Sequence, residues 1–237
     1  MKNLILLILF SLFLALLVYI SVVVIYTIFS KKELSTKYGN IWRFFNRYTL
    51  DRVNKVNKNL CFGFSLFCGR QGGGKTYAAV TYALKLAQKH NSVLISNTPL
   101  NIDGGIDYIY CQNISDIPYC LSSDRHNIII LDEIQTLFDS RQFDDEFYSM
   151  FCQLRKRNIK LIGTSQVFER CALKLREQVH NLYYCRTYYG CLTRVREYYP
   201  MLNSSGKLSQ KDIFGLGDKF IIQSEYIRNM YNTFYKI

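Results

Sequence analysis

Eight cysteines are scattered through the 237 residues, yet no two stand in a C-x2-C pair, and none of the three histidines lies at a zinc-ligand spacing from them. That scatter excludes the common zinc ribbons and fingers. Nor do Cys61, Cys68, Cys111, Cys120, Cys152, Cys171, Cys185 and Cys191 have disulfide-framework spacing. Several sit inside hydrophobic runs (Cys68, Cys152, Cys185), where a free thiol packs as a small apolar group. Reduced thiols in a cytosolic domain are the expectation. Internal repeats and low-complexity tracts are also missing, which excludes solenoids and arrays.

Acids are scarce. There are 18 Asp and Glu against 30 Lys and Arg, leaving a net charge of +12. Such an excess points to a polyanionic partner, either nucleic acid or an anionic membrane surface. At 49% hydrophobic and 20% charged, the composition is that of a folded chain, not a disordered one. Aromatics reach 15%, mostly Tyr and Phe, a content that biased genomic base composition accounts for and that nucleic-acid stacking or a rich core would also use.

Charge is absent altogether from Leu4 to Phe29. A helix over that run reaches about 39 Å, more than the roughly 30 Å hydrocarbon core, so it spans with tilt. A cleaved signal peptide has a shorter apolar region and a small-x-small cleavage site, and neither is present here. Residues 1–30 are therefore read as a transmembrane anchor. Eight basic residues against two acids follow it in residues 31–60, and only Lys2 precedes it. The positive-inside rule then puts the N-terminus outside and the large C-terminal part in the cytoplasm, on a single pass. Residues 31–58 read as a basic juxtamembrane segment. Within it Tyr38, Ile41, Trp42, Phe45, Tyr48, Val53 and Val56 form an apolar stripe, with Leu50 on the basic side. The stripe suits an amphipathic helix on the inner leaflet, or a linker helix packed on the following domain.

The apolar run Leu60–Cys68 reads as a buried strand, and Tyr77–His90 as a helix. Between them lies Gly69-Arg70-Gln71-Gly72-Gly73-Gly74-Lys75-Thr76, a match to G-x4-G-K-[ST] in the strand–loop–helix context that this motif requires. Glycines let backbone amides turn inward around a phosphate, and the helix N-terminus adds partial positive charge. Lys75 is expected to bridge the β- and γ-phosphates of ATP, and Thr76 to ligate Mg²⁺.

A second run, Asn127–Leu131, delivers Asp132 and Glu133 to the C-terminal end of a central strand, the end that borders the crevice in a parallel sheet. Asp132 is expected in the Mg²⁺ shell, and Glu133 as the base that activates water. Asp145–Arg157 reads as a helix with acids first and bases last. Ile159–Gly163 follows as a strand ending in Thr164-Ser165-Gln166. Gln166 is the residue expected to sense the γ-phosphate or the water. Arg155, in the cluster Arg155-Lys156-Arg157, has three readings: a solvated helix end, a DNA contact, or an arginine finger acting across a subunit boundary. Arg141 and Arg170 are further finger candidates.

The stretches Asp132–Arg141 (DEIQTLFDSR), Leu154–Gln166 (LRKRNIKLIGTSQ) and Leu175–Val179 (LREQV) resemble the zonula occludens toxin-like family. That family includes the assembly ATPases of filamentous phages and belongs to the wider FtsK/HerA group of DNA-pumping P-loop NTPases. Arg155, Lys156, Thr164 and Gln166 match its Arg-Lys segment and Thr-x-Gln strand end. The resemblance covers roughly residues 60–190. It implies a RecA-like α/β core with a mainly parallel sheet flanked by helices, ATP hydrolysis with Mg²⁺, and a homo-oligomeric ring, a hexamer. It also implies a role in moving viral DNA, single-stranded, through the host cell membrane, beside other phage morphogenesis or coat proteins. This sequence departs from the family in placing its apolar segment before the ATPase domain. An extracytoplasmic domain is then expected to be nearly absent, which counts against a secreted-toxin activity.

Ile106–Cys111 reads as a strand, Ser115–Leu121 as a short helix, and Asn181–Arg186 as the last core strand. The ATPase domain is thus expected over residues 59–190. Residues 191–237 read as a small β-rich appendage that completes the sheet, contacts DNA or closes a subunit interface. Two other functional classes stay open: a related DNA motor for conjugation or packaging, and a nucleotide-gated membrane scaffold with little turnover.

Overall fold

A computed structural model of the chain describes residues 2–30, 41–53, 61–102, 104–138, 145–202, 206–208 and 215–231. The chain divides into two compact units, Met1–Leu60 and Cys61–Ile237.

In the first unit α1 spans Lys2–Ser30 and α2 spans Ile41–Val53. The stretch Leu6–Ser30 of α1 is long and apolar enough to cross a membrane. The two helices pack through a polar contact. Asn46 Nδ2 donates to Thr27 Oγ1 at 2.6 Å, and Thr27 donates to the Val23 carbonyl at 2.7 Å. Asn46, Thr49 and Leu50 are the buried residues of α2. Its burial therefore follows a different stripe from the one read in the sequence. Leu50, placed there on the basic side, is inside. Phe44 and Tyr48 are exposed and stacked on each other, with Arg52 lying over the Tyr48 ring. Tyr38 and Val56 lie outside the described residues.

The second unit is an α/β fold. Its elements run β1 (Gly63–Cys68), α3 (Lys75–His90), β2 (Val93–Ser96), β3 (Tyr108–Tyr110), β4 (Asn127–Leu131), α4 (Ile134–Leu137), α5 (Asp145–Cys152), β5 (Ile159–Ser165), α6 (Leu173–Arg176), β6 (Val179–Tyr188), β7 (Leu192–Tyr198), β8 (Gly215–Ile222) and α7 (Glu225–Arg228). They form one 8-stranded sheet in the order β3-β2-β4-β5-β1-β6-β7-β8. Pairing is parallel from β3 through β6 and antiparallel for β6–β7 and β7–β8.

Strands β1, β2, β4 and β5 are buried at every position, as continuous apolar runs in a doubly covered parallel sheet should be. Helix α3 covers one face through Ala78, Ala79, Ala83 and Ala87, which pack with Leu94, Ile128 and Ile162. The other face is covered by Phe147, Phe151, Phe168 and Leu175, over Phe64, Leu66, Ile129 and Leu161. The helix expected over 145–157 stops at Cys152. The residues after it tighten into turns that end at Asn158 in the left-handed region (φ 51), with Ile159 N–H donating to the Leu154 carbonyl. The expected β-rich C-terminal residues continue the same sheet as β7 and β8. Helix α7 returns onto α3, where the Ser224 amide donates to the Tyr77 hydroxyl at 2.9 Å.

Candidate nucleotide site at the strand ends

The loop between β1 and α3 is shaped by what stands behind it. Gly74 has φ +77, and a Cβ on it would lie 2.6 Å from Thr187 Oγ1 and 2.7 Å from Thr193 Oγ1. Gly69 and Gly73 press against the Cys185 carbonyl in the same way, so the loop lies flat on β6 and β7. Gly72 also has positive φ but faces open space. Arg70 and Gln71 are exposed. Lys75, by contrast, is only 7% exposed; its Nζ donates to the Arg70 carbonyl across the loop at 3.3 Å. Among the described residues Lys75 forms no ion pair with a carboxylate. A buried ammonium held only by a loop carbonyl fits an anionic guest.

One strand, β5, separates β1 from β4. Across it Thr76 Oγ1 donates to Asp132 Oδ1 at 3.1 Å. Glycine loop on β1, acidic pair after β4, and a strand between them whose tip touches the acid define the arrangement. The chain has a P-loop nucleoside triphosphatase fold.

In this P-loop fold the acidic pair is held from both sides. Thr164 Oγ1 donates to Asp132 Oδ1 at 2.5 Å and accepts the Glu133 amide at 2.9 Å. Asn97, just past β2, accepts the Asp132 amide at 2.8 Å and donates to its carbonyl at 3.3 Å. Glu133 itself is left-handed, at φ 51 and ψ 46, a conformation costly for a non-glycine residue. Its carboxylate accepts from Gln135 Nε2 at 2.9 Å. Gly163 makes room for this turn, because a Cβ there would meet Phe64 at 3.0 Å and Ile134 at 3.2 Å.

Lys75, Thr76, Asp132 and Glu133 line one cavity of about 560 Å³, together with Gln71, Gly72 and Gly74 of the loop. Thr76 and Asp132 are the hydroxyl and carboxylate equipped to hold a hard divalent cation whose other ligands are water and phosphate oxygen. No cluster of three or more His, Cys, Asp or Glu suited to a metal occurs among the described residues.

Other predicted residues fall elsewhere. Gln166 lines a second cavity of about 730 Å³, on the far side of the loop, with Gly69–Gly73. Thr164, two residues earlier, is the one that touches Asp132. Arg155 is exposed before the start of β5, at the opposite end of the sheet from the cleft, with its guanidinium 5.4 Å from the Phe62 ring centroid. Within its own chain it is a strand length away from Lys75, about 20 Å. Arg170 is exposed and lines neither cavity. Arg141 lies outside the described residues.

Three features of the lysine cavity were not read from the sequence. Strand β2 and its Asn97 escaped because a four-residue apolar run carries no motif. Thr98 and the C-terminal residues Gln223, Arg228 and Tyr231 also line the cavity. Arg228 donates to Gln223 Oε1 and to the Gly190 carbonyl, while Gln223 Nε2 donates to Thr193 Oγ1 at 2.7 Å.

No protein-family model matches the sequence, and no curated protein matches it. Among solved structures, the N-terminal domain of zonular occludens toxin from Neisseria meningitidis is 16% identical, with a TM-score of 0.48 over 72% of this chain and 98% of that one. The flagellar accessory protein FlaH from Methanocaldococcus jannaschii is 14% identical, with a TM-score of 0.45 over 72% and 95%. The genome packaging NTPase B204 from Sulfolobus turreted icosahedral virus 2, in complex with ATP-gammaS, is 13% identical, with a TM-score of 0.41 over 53% and 76%. The fold assignment rests on the chain's own strand order and loop.

Proposed function

We propose that this chain is a membrane-tethered ATPase that powers assembly and extrusion of a filamentous phage, exporting viral DNA through the host cell membrane. The observation that carries the enzymatic half is the Thr76–Asp132 hydrogen bond, made in the cavity that also holds Lys75 and Glu133. Loop amides within residues 69–76, other than those of Gly69 and Gly73 that donate to the Ser165 and Arg70 carbonyls, hold the triphosphate together with the Lys75 ammonium. Thr76 and Asp132 hold Mg²⁺, which when bound neutralises charge on the β- and γ-phosphates. Glu133 orients the attacking water and takes its proton.

The export half is supported by α1, by the +12 charge and by the sequence resemblance. The reading places the N-terminus outside the cytoplasmic membrane and the ATPase inside. It calls for a homo-oligomeric ring, with single-stranded DNA and phage coat or morphogenesis proteins as partners. Arg155 and Gln166 keep their proposed catalytic parts only if a neighbouring subunit or a loop movement brings them to the phosphates.

The test is ATP hydrolysis by the full chain in nanodiscs, with and without single-stranded DNA at low salt. Stimulation by DNA is expected. Hydrolysis with no DNA response would leave an ATPase and remove the export reading. No hydrolysis at all, with ATP bound, would favour a nucleotide-gated scaffold.

A further inference from the structure

The larger cavity lies on the other side of the P-loop from Asp132. Its wall is the antiparallel end of the sheet. Cross-strand register sets Tyr184 opposite Arg196 and Arg186 opposite Arg194, and period-two alternation puts these residues with Tyr188 and Tyr198 on one face. The opposite face, with Tyr183, Cys185 and Val195, is buried in the core under α3. Arginine and Tyr188 thus share the open side by strand geometry, while Tyr184 and Tyr198 meet edge to face and pack partly on the core.

The charges on this face are unbalanced. Arg70, Arg186, Arg194 and Arg196 all line the cavity. The carboxylate paired there is Asp218, which binds both Arg194 and Arg196. Arg186 is exposed, and its guanidinium sits 5.1 Å from the Tyr188 ring centroid. Among the described residues the buried Arg194 Nε has no hydrogen-bond partner. Surplus guanidinium groups fit a ligand that carries several negative charges.

Tyrosine narrows the ligand further. Arginines track a phosphate backbone, and aromatic rings take unpaired bases by stacking. A duplex hides its base faces, so only an unpaired strand uses both groups. Gln71 and Gly72 line this cavity and the lysine cavity alike.

We propose that this arginine–tyrosine sheet face is where the chain holds single-stranded nucleic acid, in contact with the far side of the P-loop. The assignment rests on the nucleic-acid motor reading above and names the place where the strand lies. A strand in this cavity meets Gln71 and Gly72 directly, so its presence is felt at the loop that holds the triphosphate.

The experiment measures binding of a fluorescent oligothymidine to the full chain in nanodiscs across a salt series, alongside DNA-stimulated hydrolysis. Arg186→Ala with Arg194→Ala is expected to weaken binding at least tenfold near 0.1 M salt. The slope of log affinity against log salt should fall by about 1.4, at about 0.7 for each phosphate no longer neutralised. Lys156→Ala with Arg157→Ala removes the same charge at the other end of the sheet and is expected to change affinity less than twofold. Tyr188→Ala should weaken binding without changing the slope. Arg186→Lys with Arg194→Lys keeps the charge and should keep the slope, which separates recognition from folding.

Unchanged affinity and slope in the alanine pair would overturn the proposal, even if DNA still stimulated hydrolysis; the strand would then lie elsewhere and the motor reading would stand. A change of oligomeric state with oligonucleotide binding intact would make this face a subunit contact and overturn it too. No binding by the parent chain would sink the motor reading along with the site.

Discussion

Thr164 ties the acidic pair together: its hydroxyl donates to Asp132 Oδ1 at 2.5 Å while accepting the amide of the next residue, Glu133, at 2.9 Å. One buried side chain on β5 therefore fixes both the carboxylate that meets Thr76 and the backbone that aims Glu133. Replacing Thr164 with Val keeps its shape and deletes both bonds. Hydrolysis should fall about 100-fold, with a stability loss of about 1–3 kcal/mol from the orphaned amide. Steady-state ATPase assays and urea titration check this; full activity in a stable Thr164→Val protein would mean that the bridge is incidental.

Glu133 combines chemistry with strain. Glu133→Gln should leave ATP bound and lower turnover by at least 100-fold. Glu133→Gly should also abolish turnover, yet raise stability by about 1 kcal/mol, because glycine accepts the left-handed backbone at φ 51 without cost. A thermal melt read beside the ATPase assay separates the two effects. Unchanged turnover in the Gln variant removes Glu133 from the mechanism.

Arg228 reaches the same cavity from the C-terminal segment of its own chain. If it offsets charge that develops on the phosphates, Arg228→Ala should lower kcat about 100-fold and change KM little. Arg228→Lys should restore part of the loss. A rise in KM alone would make it a nucleotide clamp, and no kinetic change would leave it a structural tie to Gln223.

Buried thiols set the alkaline limit of stability. Burial pushes Cys185 up to about 12 from the usual 9.0 and raises Cys68 well above that value; Cys61 and Cys171 are also raised by burial. A thiol whose folded pKa is raised contributes stability that is complete below pH 9 and is lost as pH rises toward the folded value. Buried Lys160 runs the other way, since burial lowers its pKa and rising pH relieves its cost. Cys111 is likewise pushed up to about 11 by burial, and five thiols outweigh one amine. Tm should hold level from pH 7 to about 9 and fall above it, with a smaller fall in Cys185→Ala.

Much of this site was legible because its signals are local. The run Leu60–Cys68, the glycine loop and the following helix announce one another within a few residues, and β4 ends where its apolar run ends. Alternation marked the residues after 191 as β-rich but left sheet completion, DNA contact and a subunit interface open; β7 and β8 extend the sheet. What escaped depends on distance along the chain. Arg228 and Asn97 enter the site only once the sheet is assembled, through contacts that leave no periodic trace. Gln166 was expected at the phosphates because it ends the Thr-x-Gln segment, yet β5 ends at Ser165, so Gln166 lies past the strand and lines the other cavity, while Thr164 within the strand meets Asp132. On α2 the Thr27–Asn46 contact fixes which residues face α1, a pairing that the aromatic spacing does not announce.

The most direct test is equilibrium binding of ATP with magnesium to the full chain and to Lys75→Ala, with hydrolysis measured on the same samples. The account predicts micromolar binding and steady turnover in the parent, and loss of both by at least 100-fold in the folded variant. A folded Lys75→Ala protein that binds and hydrolyses ATP as the parent does would contradict it.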